Sequence, residues 1–530
     1  MGRKSLRAKG AALALFALGI AGCKSGPDYH PPELDLPPSF DNSAAGPTTG
    51  PATRPTSTAP VRAVDLARWW NSLDDPVLNS LVDRAIRGNF DLKIAVARVQ
   101  EAREFEITVE GGTFPLGRFA SLDFSATAAR GTGNNATRGR TTPALQAGTI
   151  TSGLEQATHA IGVDAAWEID LFGRYDRLAE AAGADTQAVV EATNDVLVTL
   201  AADVVRAYVE VRSAQFRLEI TLQNVESQRR SYDLVRERLN QGVGTDLDVA
   251  LAERQLDTTL ARVRPLEAAI AAAQRRVAVL LGQYPEELRA ELTRPAALPA
   301  TPPRVATGMP VELLRRRPDV RRAERQLAAS TARIGVATAD LYPKLALTAG
   351  AGMQGQGLGI TPVESHHIYS IGPTVYWPML DFGRLEAIVL SQDYRTRQLL
   401  YAYQKAVITA VQEVDDALTN YAAEQDRLAE LSAAVAASTR AAGLAQQRYE
   451  NGLTDFLNVL DAQRQVYELQ DQYAVAQEIV ARQFILLSKA LGGGWEGYDI
   501  PPPPGPRPAV IAAADRLLHG GKPSQAKGAE

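Results

Sequence analysis

One unit is written twice in this chain, and that duplication limits the possible folds more than any other feature. Residues 161–174 read IGVDAAWEIDLFGR and residues 371–384 read IGPTVYWPMLDFGR, so Ile, Gly, Trp, Phe, Gly and Arg recur 210 positions later. The same spacing sets Arg238, Gly242, Leu247, Val249, Ala252, Arg254 and Gln255 against Arg448, Gly452, Leu457, Val459, Ala462, Arg464 and Gln465. Upstream, Asp91 and Ala95 match Asp319 and Ala323 at a larger offset, because the first copy carries an insertion near residues 131–155.

Between these matches lies a long amphipathic run in each copy. Every seventh residue from Val190 is apolar: Leu197, Val204, Val211, Leu218, Val225, Tyr232, Leu239. The second copy gives Leu400, Val407, Val414, Tyr421, Leu428, Val435, Ala442, Tyr449. Heptads sustained over this length specify a supercoiled helix. The runs predict helices over about 174–239 and 384–449, each about 100 Å long at 1.5 Å per residue. Asn240-Gln241-Gly242 and Asn451-Gly452 then supply helix-ending turns, and Thr245-Asp246 and Thr454-Asp455 supply N-caps for returning helices. Each copy therefore contains a long antiparallel helical hairpin, expected over 174–282 and 384–492.

At the other end of each hairpin the period changes to two. Leu122, Phe124, Ala126 and Ala128 alternate with Asp123, Ser125 and Thr127, and Ile161, Val163, Ala165, Trp167 and Ile169 alternate with Gly162, Asp164, Ala166, Glu168 and Asp170. Leu345, Leu347, Ala349 and Ala351 form one face of a third segment, and Tyr369, Ile371, Val375 and Trp377 one face of a fourth. These are four strands in two β-hairpins, about 115–172 and 343–382, each near the ~9–11 residues that cross a bilayer. Four strands cannot close a barrel, and an open edge in lipid leaves backbone groups unpaired. If the strands span a membrane, several chains must share one wall, and three copies give twelve strands. The alternative is a soluble β-patch packed on the helices.

The N-terminus bears on that choice. Arg3, Lys4, Arg7 and Lys9 precede an apolar run from Ala11 to Ile20, followed by Ala21-Gly22-Cys23. This is the layout of a secretory signal peptide over 1–22, with Cys23 placed for lipid attachment as in a bacterial lipobox; the other reading is a plain cleavage site. Cys23 is the only cysteine, which excludes an internal disulfide or a thiolate metal site. Residues 23–66, rich in Pro, Thr, Ser and Ala, read as an extended tether from the lipid, and 496–530 as a disordered tail. The body divides into a first repeat, 67–300, and a second, 301–495. A net charge of −5 without a basic stripe gives no footprint for nucleic acid.

Taken together these residues resemble the TolC-like outer membrane factors, in their NodT-type lipoprotein branch. The resemblance rests on Gly26-Pro27-Asp28-Tyr29, Trp69-Trp70, Asp75-Pro76, Asn89-Phe90-Asp91-Leu92, Trp167 to Arg174, Arg316-Arg317-Pro318-Asp319-Val320-Arg321, Leu380 to Arg384, and Leu460-Asp461-Ala462-Gln463-Arg464. It implies an α+β membrane protein: a homotrimer with a twelve-stranded barrel in the outer membrane, continued by an α-helical barrel across the periplasm. It also implies an efflux channel without enzymatic activity and with no cofactor beyond the covalent lipid. Its partners would be a periplasmic adaptor protein and an inner-membrane transporter, often of the resistance-nodulation-division type. Type I protein secretion, metal export or a periplasmic scaffolding role share these features.

The resemblance also points to site residues. Asp461 and Arg464 match residues that line or brace the periplasmic gate; as an alternative they form an ordinary helix-surface ion pair. Tyr449 and Asp248 match residues that tie neighbouring hairpins shut, although Tyr449 also continues the apolar heptad stripe. The family's cation after the second tip glycine is missing, since Thr454 stands there. Gly242 and Gly452 mark the tips that would meet the adaptor. His366-His367 lacks further ligands at metal spacing, the Ser, Asp and His residues form no nucleophile motif, and the Arg315–Arg317 run is expected at a helix entry and on its surface.

Overall fold

The structure, a computed structural model, describes residues 24–33, 65–110, 120–131, 156–303, 316–357 and 364–500. The signal peptide, Cys23 and residues 501–530 lie outside the described residues. A 3-10 segment, Leu66–Leu73, leads into α1 (Pro76–Gly88), α2 (Phe90–Glu110), β1 (Ala120–Gly131), β2 (Gln156–Ile169) and the long α3 (Arg174–Asn240). The chain returns through α4 (Asp246–Leu260), α5 (Val263–Leu281) and α6 (Pro285–Thr293). The second copy follows as α7 (Pro318–Ala339), β3 (Lys344–Gly357), β4 (Glu364–Tyr376), α8 (Arg384–Glu450) and α9 (Phe456–Ala490).

Both α3 and α8 have 67 residues, and their ends fall one residue beyond the expected ones. A carboxylate starts each. Asp170 accepts from the backbone N–H groups of Arg174 (2.7 Å) and Tyr175 (2.8 Å), and Asp381 from that of Leu385 (2.8 Å). These acids satisfy orphan donors at the positive end of the helix dipole, which explains the DLFGR and LDFGR motifs. The heptad stripe is buried at Leu197, Val204 and Val211 of α3 and at Val407, Val414 and Tyr421 of α8. These residues join a central core with Trp69, Leu78, Tyr208 and Phe484, in which Trp69 meets Phe484 edge-on at 5.8 Å.

The expected single returning helix of the first copy is divided at Ala261–Arg262. Pro265 has no N–H for the Ala261 carbonyl, and its ring crowds that carbonyl. Val475 holds the matching place in the second copy, where α9 continues unbroken for 35 residues.

The four strands form one antiparallel sheet in the order β1-β2-β3-β4, so the two hairpins join through β2 and β3. β3 and β4 reach further than expected, leaving 358–363 as their connection, outside the described residues.

The tether needs correction at its start. Residues 24–33 are pinned to the body by Arg177, which is buried near the start of α3. Its guanidinium donates to the carbonyls of Ser25 (3.0 Å) and Gly26 (3.3 Å) and to the carboxylates of Asp28 (2.7 Å) and Glu180 (2.9 Å). Gly26 has φ +82°, and a Cβ there would stand 2.5 Å from the Gly335 Cα, so the segment fits only as glycine on glycine. Tyr29 packs on Ala184, Ala328 and Ala329 and donates to Glu324 at 3.2 Å.

Arg317 stands at the entry of α7, as the sequence suggests. It is buried rather than on the surface, bidentate on Asp319 (3.0 and 2.7 Å), paired with Glu413 (2.7 Å) and bonded to the Ala490 carbonyl (3.1 Å). It thereby ties the start of α7 to α8 and to the end of α9.

Candidate channel wall and gate

The register of the sheet separates two chemistries. Phe124 faces Val163, Val163 faces Ala351 and Ala351 faces Tyr369, while Trp167 lies beside Leu347 and Ala349 beside Ile371. One face is therefore apolar across all four strands, and Leu122, Phe124, Ile161, Tyr369, Ile371 and Val375 are exposed on it. The opposite face carries Ser121, Asp123, Asp164, Thr348, Ser370 and Thr374, which line a shallow concavity of about 520 Å³. Asp123 and Asp164 stand directly opposite each other in the register. Two carboxylates so placed repel unless water screens them, so this face belongs to an aqueous space. β1 and β4 are the sheet's two edges.

At the far end of the long helices, the tips of both hairpins come together. Val235 of α3, Ala252 of α4, Tyr449 of α8 and Phe456, Val459 and Leu460 of α9 form a small separate apolar core. Tyr449 is buried there, its ring 5.4 Å from that of Phe456. Burial raises its hydroxyl pKa; Arg238 opposes the shift and the charge of Asp248 adds to it. The Asp248 carboxylate accepts from the Thr245 hydroxyl (2.8 Å), whose oxygen caps α4 by accepting from the Asp248 N–H (3.2 Å). The structure therefore brings Tyr449 and Asp248 into one neighbourhood, with Tyr449 held by packing.

The cation at this tip comes from the other copy. Arg238 lies with its guanidinium 4.7 Å from the centre of the Tyr449 ring and donates to the Tyr449 carbonyl at 3.0 Å. It thus neutralises the negative end of α8 while crossing from one hairpin to the other. Sequence reasoning used Arg238 only to align the copies. Its match to Arg448, together with the missing cation at Thr454, was the available signal.

Asp461 and Arg464 form an ion pair of 2.8 Å on the exposed side of α9, with Glu468 3.9 Å from the same guanidinium. Gly242 (φ +75°) and Gly452 (φ +72°) end the long helices, and a Cβ at either would meet only open space. The second N-cap differs from expectation: Thr454 Oγ1 accepts from the Asn458 side chain (2.8 Å), and Asp455 makes no side-chain cap.

The sequence profile described as "Outer membrane efflux protein" matches residues 81–283 and 309–493. The chain belongs to that family. Proteins similar to it include Nodulation protein T of Rhizobium leguminosarum bv. viciae, 31% identical over 95% of this chain and 96% of that protein. The toluene efflux pump outer membrane protein TtgC of Pseudomonas putida is 30% identical over 91% of this chain and 95% of its own length. Among solved structures, the outer-membrane channel OprN superposes with a TM-score of 0.76 at 36% identity, covering 89% of this chain and all of that one (100%).

Proposed function

We propose that three copies of this chain form the outer-membrane duct of a tripartite efflux pump. The carrying observation is the sheet: apolar on one side, polar and acidic on the other, and open at both edges. Three such sheets joined edge to edge give a twelve-stranded barrel with lipid outside, water inside and no unpaired backbone edge. The long helices continue this wall as a tunnel through the periplasm. Cys23 carries the lipid, and export draws its energy from an inner-membrane transporter through a periplasmic adaptor that meets the tips at Gly242 and Gly452.

In this reading the tip core and Arg238 hold the periplasmic entrance shut, with Asp248 beside Tyr449. Asp461 contributes one carboxylate per subunit to a ring whose field favours cations, tempered by Arg464. The duct itself does no chemistry. The relatives named for toluene efflux favour small lipophilic compounds over secreted proteins as cargo.

Purified protein should migrate as a heat-resistant trimer and carry unitary currents across a planar bilayer. A deletion strain should accumulate a lipophilic dye. A monomer that leaves bilayers electrically silent would end the proposal.

A further inference from the structure

Where α3 and α9 run side by side, polar side chains join them like rungs. The Ser213 hydroxyl donates to Glu478 (2.7 Å), Arg217 to Asp471 (2.8 Å), Asn224 to Gln470 (2.8 Å), and Gln463 to the Ser231 hydroxyl oxygen (2.8 Å). Between the last two, one rung fails. Four residues after Asn224 stands Gln228, and four before Gln470 stands Val466, whose side chain can bond nothing. Gln228 is 3% exposed, yet neither end of its amide has a hydrogen-bond partner among the described residues. A buried amide in that condition destabilises the fold.

This amide lines a groove of about 640 Å³ between α3 and α8, bordered by α9. Sites for small molecules have this size. The groove runs from Gln223 to Leu234 on α3 and from Thr439 to Glu450 on α8, about 17 Å at 1.5 Å per residue. On the α8 wall Gln446 donates to Glu450 (2.9 Å), and its own side-chain oxygen is buried without a partner. The charged lining residues, Arg230 and Glu450, are both exposed. Val466 and Leu234 supply apolar surface beside the amides. The fitting ligand is therefore uncharged and extended, with donors, acceptors and small apolar groups close together. An acetamido group carries this set. Its carbonyl would take the Gln228 N–H, its N–H would serve the Gln446 oxygen, and its methyl would rest on Val466.

The groove also has a side. Tyr421 and Gln425 of α8 donate to the Pro302 carbonyl, in the segment that follows α6. Ala442 and Gln446 lie three heptads further along α8 and so face the same way. Trp69, α1 and α6 pack on the long helices in the central core, and a tunnel stays open only with such elements outside its bore. The groove is then on the outer wall, roughly 75–90 Å beyond the start of α3. In the periplasm that wall adjoins the cell wall, whose glycan strands are chains of N-acetylated amino sugars. We propose that the groove binds such a chain, and that the tunnel holds the cell-wall glycan through it. This proposal rests on the channel reading, which sets α1 and α6 outside the bore.

The test uses detergent-purified full-length trimers of the parent and of Gln228→Leu. Calorimetric titration is run with a β-1,4-linked N-acetylglucosamine tetramer, with cellotetraose, which lacks the acetamido groups, and with a tetraalanine peptide. Purified cell-wall sacculi serve in a sedimentation assay. The parent should bind the acetylated tetramer at least tenfold more tightly than the other two probes and should sediment with sacculi. Gln228→Leu should lose at least tenfold in affinity and stay in the supernatant. It should also unfold at a higher temperature, because leucine on Val466 leaves no amide buried without a partner. A parent that does not prefer the acetylated tetramer, a Gln228→Leu protein that binds as the parent does, or binding of the tetramer without sacculi would overturn the proposal. So would loss of export in Gln228→Leu with sugar binding intact, which would give the groove to a protein partner. Unitary currents from the same preparations keep the two readings apart. Currents without sugar binding overturn the groove alone; absence of trimers and currents overturns the channel and, with it, the groove's outer position.

Discussion

Replacing Arg238 with alanine tests whether a cation holds the entrance shut. The guanidinium makes one good charge-assisted bond, to the Tyr449 carbonyl at 3.0 Å, and a marginal one to the Glu450 carbonyl at 3.4 Å. Such a bond contributes about 1.5–3 kcal/mol, and a partly exposed cation over an aromatic ring about 0.5–1 kcal/mol. Against these, Arg238 Nε is buried without a partner, which costs about 1 kcal/mol. The net is about 2 kcal/mol per subunit, a shift of roughly 30-fold in a two-state equilibrium. If the three subunits open together, their contributions add. Single-channel recording in planar bilayers reads the effect directly, and open probability should rise at least 30-fold in Arg238→Ala. Arg238→Lys should fall between the two, because an ammonium can reach the carbonyl but lacks a planar face for the ring. Heat resistance of the trimer should be unchanged, which separates unlatching from unfolding. An open probability within threefold of the parent would refute the clamp.

Other consequences are open to measurement. Asp461→Ala should raise conductance and lower cation selectivity with no loss of stability, since its pair with Arg464 is exposed and such pairs contribute little; an unchanged reversal potential in a salt gradient would remove Asp461 from the gate. Arg177→Met should leave the fold intact but expose residues 24–33 to protease several-fold faster, scored by mass spectrometry of N-terminal fragments; unchanged cleavage would mean that Tyr29 alone suffices. Burial works against ionisation of Asp319, but Arg317 outweighs it and holds that pKa below the ordinary value. Its stabilisation is therefore complete above pH ~4 and is lost as pH falls through the depressed folded value. Thermal unfolding as a function of pH should show this acid-labile component in the parent and lose it in Asp319→Asn.

Much of the architecture was legible because it follows from local periodicity. Eight heptads bounded by a carboxylate-Gly-Arg start and a glycine stop define α3 and α8 to within one residue. Alternation from Leu122 to Ala128 and from Leu345 to Ala351 defines β1 and β3. The break at Ala261 was legible in Pro265 and was masked by the unbroken second copy. What stayed hidden depends on distant partners. Residues 24–33 have the composition of a linker and are ordered by Arg177, about 150 positions away. Arg317 sits in a run of three arginines that reads as solvated, yet three elements converge on it. Arg238 serves the opposite hairpin, and no pattern within its own helix announces that.

The pinned segment changes what acylation can accomplish. Lys24 lies against Gly173, where a Cβ would be 2.9 Å from its Cα, and one peptide link of about 3.8 Å separates it from Cys23. If Cys23 carries the proposed lipid, the fatty chains join the protein one residue from a segment that lies against the base of β2. On the proposed reading, such a lipid would act as a depth gauge, keeping the strand bases level with the inner leaflet surface.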